Sequence, residues 1–201
     1  MMNNKSLVMF FALSIIAATG AYAGDTTSYK KQADAYLTAG AYDSAIAVLD
    51  KALAIDPVDP VLHLNKAYIN FTKGDCDAAI TGYTRAIEMN PADINGYMGR
   101  ADAYAKKMQF TPALADATKA LEIDPKSSSA YKARASIYAL TGDIAHAITD
   151  INSAINLSPE DGELYCVRGM FYSTINDNTH ASADITKAQQ LGYPVSGNIS
   201  N

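Results

Sequence analysis

A tripeptide ending in proline recurs every 34 residues along this chain: Ile55-Asp56-Pro57, Met89-Asn90-Pro91, Ile123-Asp124-Pro125 and Leu157-Ser158-Pro159, with no insertion between copies. Ahead of each proline stands a pair of alanines seven apart: Ala45 and Ala52, Ala79 and Ala86, Ala113 and Ala120, Ala147 and Ala154. A fifth copy carries Ala181 and Ala188 and ends at Leu191-Gly192-Tyr193. Earlier in the units an aromatic is followed four residues on by a small residue, as in Tyr97 with Ala101, Tyr131 with Ala135 and Tyr165 with Gly169. A second aromatic follows at Tyr104, Tyr138 and Tyr172. Chance does not hold five units in one register. Small residues let paired helices approach closely, and the larger apolar side chains fill the space between them. Proline ends the second helix and turns the chain. Gly40, Gly74 and Gly142 fall in the tight turn inside each hairpin, where a positive φ is cheapest for glycine.

This pattern resembles the tetratricopeptide repeat, whose 34-residue helix–turn–helix unit carries aromatic, small, aromatic and then Ala-Ala-Pro positions in that order. The resemblance covers residues 26–193 and implies an all-α fold, a right-handed superhelical solenoid of five helical hairpins. The units are expected at about 26–59, 60–93, 94–127, 128–161 and 162–193, with 194–201 a flexible tail. Some positions depart from the family pattern. Tyrosine or His63 stands where the family often has tryptophan, Asn70 replaces the second aromatic of unit two, and Met108 replaces the turn glycine of unit three. Thr111-Pro112 follows, read as an N-cap and a proline in the first helical turn, with local order at the Met108 turn the weakest point.

Both ends carry their own signals. Residues 1–23 join Lys5, an apolar stretch from Leu7 to Ala18, and a small-x-small Ala21-Tyr22-Ala23. That is the build of a secretory signal peptide, cleaved between Ala23 and Gly24. The apolar run is short of the roughly 20 residues a membrane span needs, so membrane contact is expected only through the transient signal peptide. The mature chain is expected in the periplasm or secreted, with 15 basic against 21 acidic residues. That charge disfavours nucleic acid as a partner. At the other end, the large apolar residues that follow the paired alanines in units one to four, such as Ile148 and Ile155, give way to Ser182 and Gln189. Polar residues there suit a terminal repeat facing water, and the array is read as complete at five units.

The residues offer little to chemistry. Cys76 and Cys166 lie three repeats apart, on the order of 25 Å by helix stacking, beyond the roughly 7 Å a disulfide tolerates. They are read as small apolar residues. His146 and His180 are one repeat apart, about 10 Å, too far to share a zinc ion. Both are read as solvated surface histidines, and His63 as a core or edge residue. Arg100, Arg134 and Arg168 share one place in the first helices of units three to five, and Asp116, Asp150 and Asp184 share one in the second helices. Units one and two lack both members, having Gln32 with Val48 and Lys66 with Gly82. Joint presence and absence predicts a ladder of ion pairs inside each hairpin. No catalytic constellation, metal set or cofactor loop is found, and an enzyme is not expected.

Binding is the remaining role. The resemblance implies that the first helices line an inner surface that takes a peptide or protein segment. On this chain that face would include Lys30, Asp34, Val61, Leu64, Asn65, Tyr68, Phe71, Asn95, Met98, Asp102, Lys132, Ser136, Cys166 and Met170. Lys30, Leu64, Asn65, Tyr68, Phe71, Met98, Asp102 and Lys132 are the expected partner contacts. Val61, Leu64, Tyr68 and Phe71 form one stripe at i, i+3, i+7 and i+10. A subset of the family clamps a C-terminal carboxylate with Lys, Asn, Asn, Lys and Arg. Lys30 and Asn65 match that set, but Asp34, Asn95 and Gly99 stand in the other places, and Asp34 would repel a carboxylate. The expected function is an exported interaction module that binds a protein or peptide in its groove. The alternative is a structural or assembly subunit of an envelope complex, acting through its ends or convex face.

Overall fold

The computed structural model describes residues 26–195, and the signal-peptide reading lies outside them. Among the described residues every regular element is a helix. The described residues fall into two compact units, one ending at Pro91 and one starting at Ala92. The first holds α1 (26–38), α2 (Tyr42–Ile55), α3 (Pro60–Lys73) and α4 (Cys76–Met89). The second holds α5 (Ile94–Lys106), α6 (Phe110–Ile123), α7 (Ser128–Leu140), α8 (Ile144–Leu157), α9 (Gly162–Thr174) and α10 (Asn178–Gln190). Consecutive helices pair as α1–α2 and so on to α9–α10, which is five hairpins.

Short side chains set the helix separation. Every member of the five alanine pairs is buried, most of them completely. Gly82 carries the same logic further. A Cβ built there would lie 2.8 Å from the Ala67 Cβ, so α3 and α4 meet at a distance only glycine permits. Larger residues then fill the space between one hairpin and the next. In the first unit Leu49 of α2 shares a cluster with Ala33 of α1 and with Leu62 and Ile69 of α3. In the second, Ile151 and Ile155 of α8 meet Ala135 of α7 and Leu164 and Phe171 of α9. Completely burying one such aliphatic side chain contributes roughly 1.5–3 kcal/mol.

Helix ends follow the repeat rather than local preference. The second helices start at Tyr42, Cys76, Phe110, Ile144 and Asn178, one start every repeat. Asp75, Asp143 and Asp177 cap three of them by accepting a backbone N–H from Ala78, His146 and His180. Expectation fails in unit three. The N-cap of α6 is Gln109, which makes no side-chain cap bond, and Thr111 is already inside the first turn. The preceding turn fixes that start: Met108 adopts φ 58°, the left-handed geometry that Gly74 and Gly142 supply at the same repeat position. With the turn closed there, the helix begins at Phe110. Pro112 stays in the first turn, where its missing N–H costs nothing. At the far end Ser182 and Gln189 are exposed.

Candidate functional site

Helix α3 has two apolar faces. Leu62, Ala67 and Ile69 are buried against α2 and α4 or within the shared core. On the other side Val61 is 45% and Tyr68 53% exposed, while Leu64 and Phe71 are half-buried. The stripe read from the sequence is therefore graded: Val61 and Tyr68 stand at the surface, and Leu64 and Phe71 contribute to packing as well. Asn65 sits half-buried between them and makes no side-chain hydrogen bond among the described residues.

The start of this helix is held by α1. Pro60 occupies the first turn, and Asp59 caps it by accepting from the Val61 N–H at 2.8 Å. Lys30 donates to the same carboxylate at 2.8 Å. Burial alone would raise the Asp59 carboxyl, but the Lys30 ammonium and the backbone N–H groups of Val61 and Leu62 hold it below its ordinary value. Lys30 thus has a structural partner inside the chain. His63, at the aromatic position of its unit, is an edge residue: its Nε2 donates to the Pro57 carbonyl at 2.9 Å. Tyr165, at the same repeat position, donates its hydroxyl to the Pro159 carbonyl at 3.1 Å. Imidazole and phenol tie down the same inter-hairpin turn.

In the second unit Met98 and Asp102 lie one helical turn apart on α5. Ser129 of α7 approaches Met98, hydroxyl to sulfur, at 3.9 Å. Lys132, three residues further along α7, donates to Glu163 of α9 at 2.6 Å. Asp102 reaches solvent, yet desolvation by the surrounding protein pushes its carboxyl up to about 6, and attraction to Lys132 offsets only part of that effect. The structure therefore brings Met98, Asp102 and Lys132 together in one unit, and Leu64, Asn65, Tyr68 and Phe71 in the other.

The ladder has the predicted register. Arg100, Arg134 and Arg168 each grip the aspartate of their own hairpin with two parallel hydrogen bonds of 2.7–2.9 Å. Two of them reach further: Arg134 donates to Thr118 of α6 at 3.4 Å, and Arg168 to Asn152 of α8 at 2.6 Å. One guanidinium thereby joins three successive helices, a role the sequence correlation did not disclose. In the first unit, where the ladder is absent, Lys66 of α3 pairs with Asp50 of α2 instead.

His146 and His180 are exposed, and each bonds through Nδ1 to its capping aspartate at 2.7 Å and stacks on Tyr138 or Tyr172. Both cysteines are free thiols, half-buried. Burial and the nearby Glu163 push the Cys166 thiol up, away from the thiolate. Among the described residues no group of three or more His, Cys, Asp or Glu could hold a metal ion, and no helix is long and apolar enough to cross a membrane.

These features define a class, the helical-hairpin repeat protein. A family model described as TPR repeat matches residues 33–74, and models described as tetratricopeptide repeat match 64–128 and 128–161. The chain is thus built of tetratricopeptide repeats. No curated protein matches it in sequence. Solved structures share the fold at low identity. TTC0263, a thermophilic TPR protein of Thermus thermophilus, is 21% identical with a TM-score of 0.74, over 83% of this chain and 91% of its own. PilF of Pseudomonas aeruginosa is 15% identical with a TM-score of 0.76, over 88% and 80%. YrrB, described as a TPR protein with an unusual peptide-binding site, is 17% identical with a TM-score of 0.58, over 81% and 84%.

Proposed function

We propose that this chain is an exported protein-interaction module that takes partner polypeptide on the faces of its first helices, on α3 within the first unit and on α5 and α7 within the second. One observation carries the reading. Val61 and Tyr68 are large apolar groups left at the surface of a helix whose core positions are already filled by Leu62 and Ile69. Tyrosine is a favoured anchor in protein interfaces because its ring buries area while its hydroxyl stays satisfied. The peptide-binding site ascribed to YrrB supports the reading as a precedent on the same fold. Export to the periplasm, or secretion, follows from the signal-peptide pattern of residues 1–23, and N-terminal sequencing of the mature protein should then begin at Gly24. Lys5 retained there would overturn export.

The binding face is tested by Val61→Ser with Tyr68→Ser. Exposed positions move stability by ~0.5 kcal/mol or less each, so the melt should stay close to wild type. Capture of the partner from the native envelope fraction should fall by roughly tenfold or more, the loss expected of an interface aromatic worth ~2 kcal/mol. Ile69→Ala is the opposite control, because its side chain is only 2% exposed. It should cost ~2–5 kcal/mol of stability. Unchanged capture by the double variant would move the site off α3 and favour an assembly subunit that uses other surfaces.

A further inference from the structure

The helical carboxylates of the second unit differ in one respect. Asp116, Asp150 and Asp184 are each bonded to an arginine, Glu122 to Lys119 and Glu163 to Lys132. Asp102 alone makes no hydrogen bond and no ion pair among the described residues. Lys132, the one cation whose attraction is felt at Asp102, is itself held by Glu163 at 2.6 Å. Two carboxylates thus share one ammonium on this face, and Asp102 is the one left over. It is accessible, it is partly desolvated by the protein around it, and the Met98 side chain lies one turn away on the same helix face. An anionic ligand would meet two carboxylates and an ammonium already engaged. A cation would meet an unmatched carboxylate in a setting where the interaction is screened less than at an open surface.

We infer that the partner segment carries a lysine or arginine side chain that docks on Asp102, with its aliphatic stem lying along Met98. This deepens the proposed function and rests on it, because it assumes that the first-helix faces take polypeptide. The occupant is a polypeptide cation and not a bare metal ion. Asp102 supplies one carboxylate, and no cluster able to hold a metal stands among the described residues. The stem of a long basic side chain covers apolar surface while its head meets the charge, which suits a methionine next to a carboxylate. Glu163 takes the hydrogen bond of the Lys132 ammonium, so Glu163 acts as a positioning residue that leaves Asp102 without a bonded cation.

A random seven-residue peptide library displayed on phage, panned on the purified full chain, tests this directly. On the wild-type protein the selected peptides should be enriched in Lys or Arg at one position. That enrichment should vanish on Asp102→Asn and persist on Asp102→Glu, while apolar positions stay enriched on all three proteins. A synthetic selected peptide should bind about tenfold more tightly than its Arg→Gln or Lys→Gln analogue on wild type. On Asp102→Asn the two should bind alike. Peptides selected without a basic position, or with one that survives Asp102→Asn, would overturn the inference and leave the interaction module intact. If no peptide is enriched at all, the interaction reading itself fails. Self-association that Asp102→Asn abolishes, with no peptide enriched, would assign the face to a second copy and refute the proposal.

Discussion

Removing the guanidinium of Arg134 exposes how the second unit is held together. Arg134→Leu deletes two hydrogen bonds of 2.7 and 2.9 Å to Asp150 and the weaker one to Thr118. Asp150 is 5% exposed, so its carboxylate would be left in the protein without a countercharge. Truncating one partner of a fully buried pair costs ~3–5 kcal/mol. The Arg134 side chain retains 20% exposure, so water reaches that end of the pair and the lower limit applies, about 3 kcal/mol. Asp150→Leu alone should cost less, ~1–2 kcal/mol, because the longer arginine can turn its head toward solvent. With both replaced, no orphan charge remains, and the leucine at 134 lies beside the Tyr131 ring over which the guanidinium sat. The coupling energy from urea denaturation of the four proteins should be at least ~1.5 kcal/mol. It should also survive 1 M salt, which would erase an exposed pair. Additivity within ~0.5 kcal/mol would refute the argument that the bond is an energetic element of the hairpin.

Two further perturbations probe single residues. Met108 has a left-handed φ of 58° and is 76% exposed, so Met108→Gly loses no packing. The relief of ~1–2 kcal/mol should exceed the backbone entropy of glycine, ~0.5–1, and raise the unfolding free energy from urea titration by a net ~0.5–1 kcal/mol, whereas Met108→Ala should gain nothing. Asp102 ionises near 6 in the folded chain against a reference of 3.8, and desolvation is the cause. A raised carboxyl makes the ionised form unfavourable for folding above pH 6, and the penalty fades as pH falls from 6 to 3.8. Asp102→Asn should therefore stabilise the unliganded protein at pH 7.5, by at most ~1 kcal/mol once solvent screening is allowed for. The gain should be gone by pH 3.5 in a series of denaturation curves, and a gain independent of pH would contradict the assignment.

Much of this architecture could be read before any coordinates, because repetition multiplies weak signals. One alanine pair says little, but five pairs in phase fix helix spacing, and each pair is buried in the structure. The arginine–aspartate register was legible for the same reason, since three copies and two joint absences leave one pairing that strands nobody. Reading failed where local preference met the repeat. Thr111 looks like a cap in isolation, yet the turn closed by Met108 starts α6 at Phe110, in step with Cys76 and Ile144. The register could have shown this, because position 109 aligns with Asp75 and Asp143. The proposed binding face was legible as a helix face but not in its grading. Whether Tyr68 or Phe71 is the more exposed depends on neighbours from other helices. The pairing state of Asp102 was also out of reach, because Lys132 had two carboxylates to choose from, and only the fold decides that it takes Glu163.

The central claim is that partners meet the first-helix faces, and site-specific photo-crosslinking tests it most directly. A photoreactive amino acid is placed at Tyr68 on α3 in one protein and at Arg85 on α4 in another, both exposed positions. Each protein is expressed in its native cells and irradiated there. The account expects a light-dependent adduct with one recurrent partner at Tyr68 and none with that partner at Arg85. An adduct formed at Arg85 while Tyr68 stays silent would contradict it.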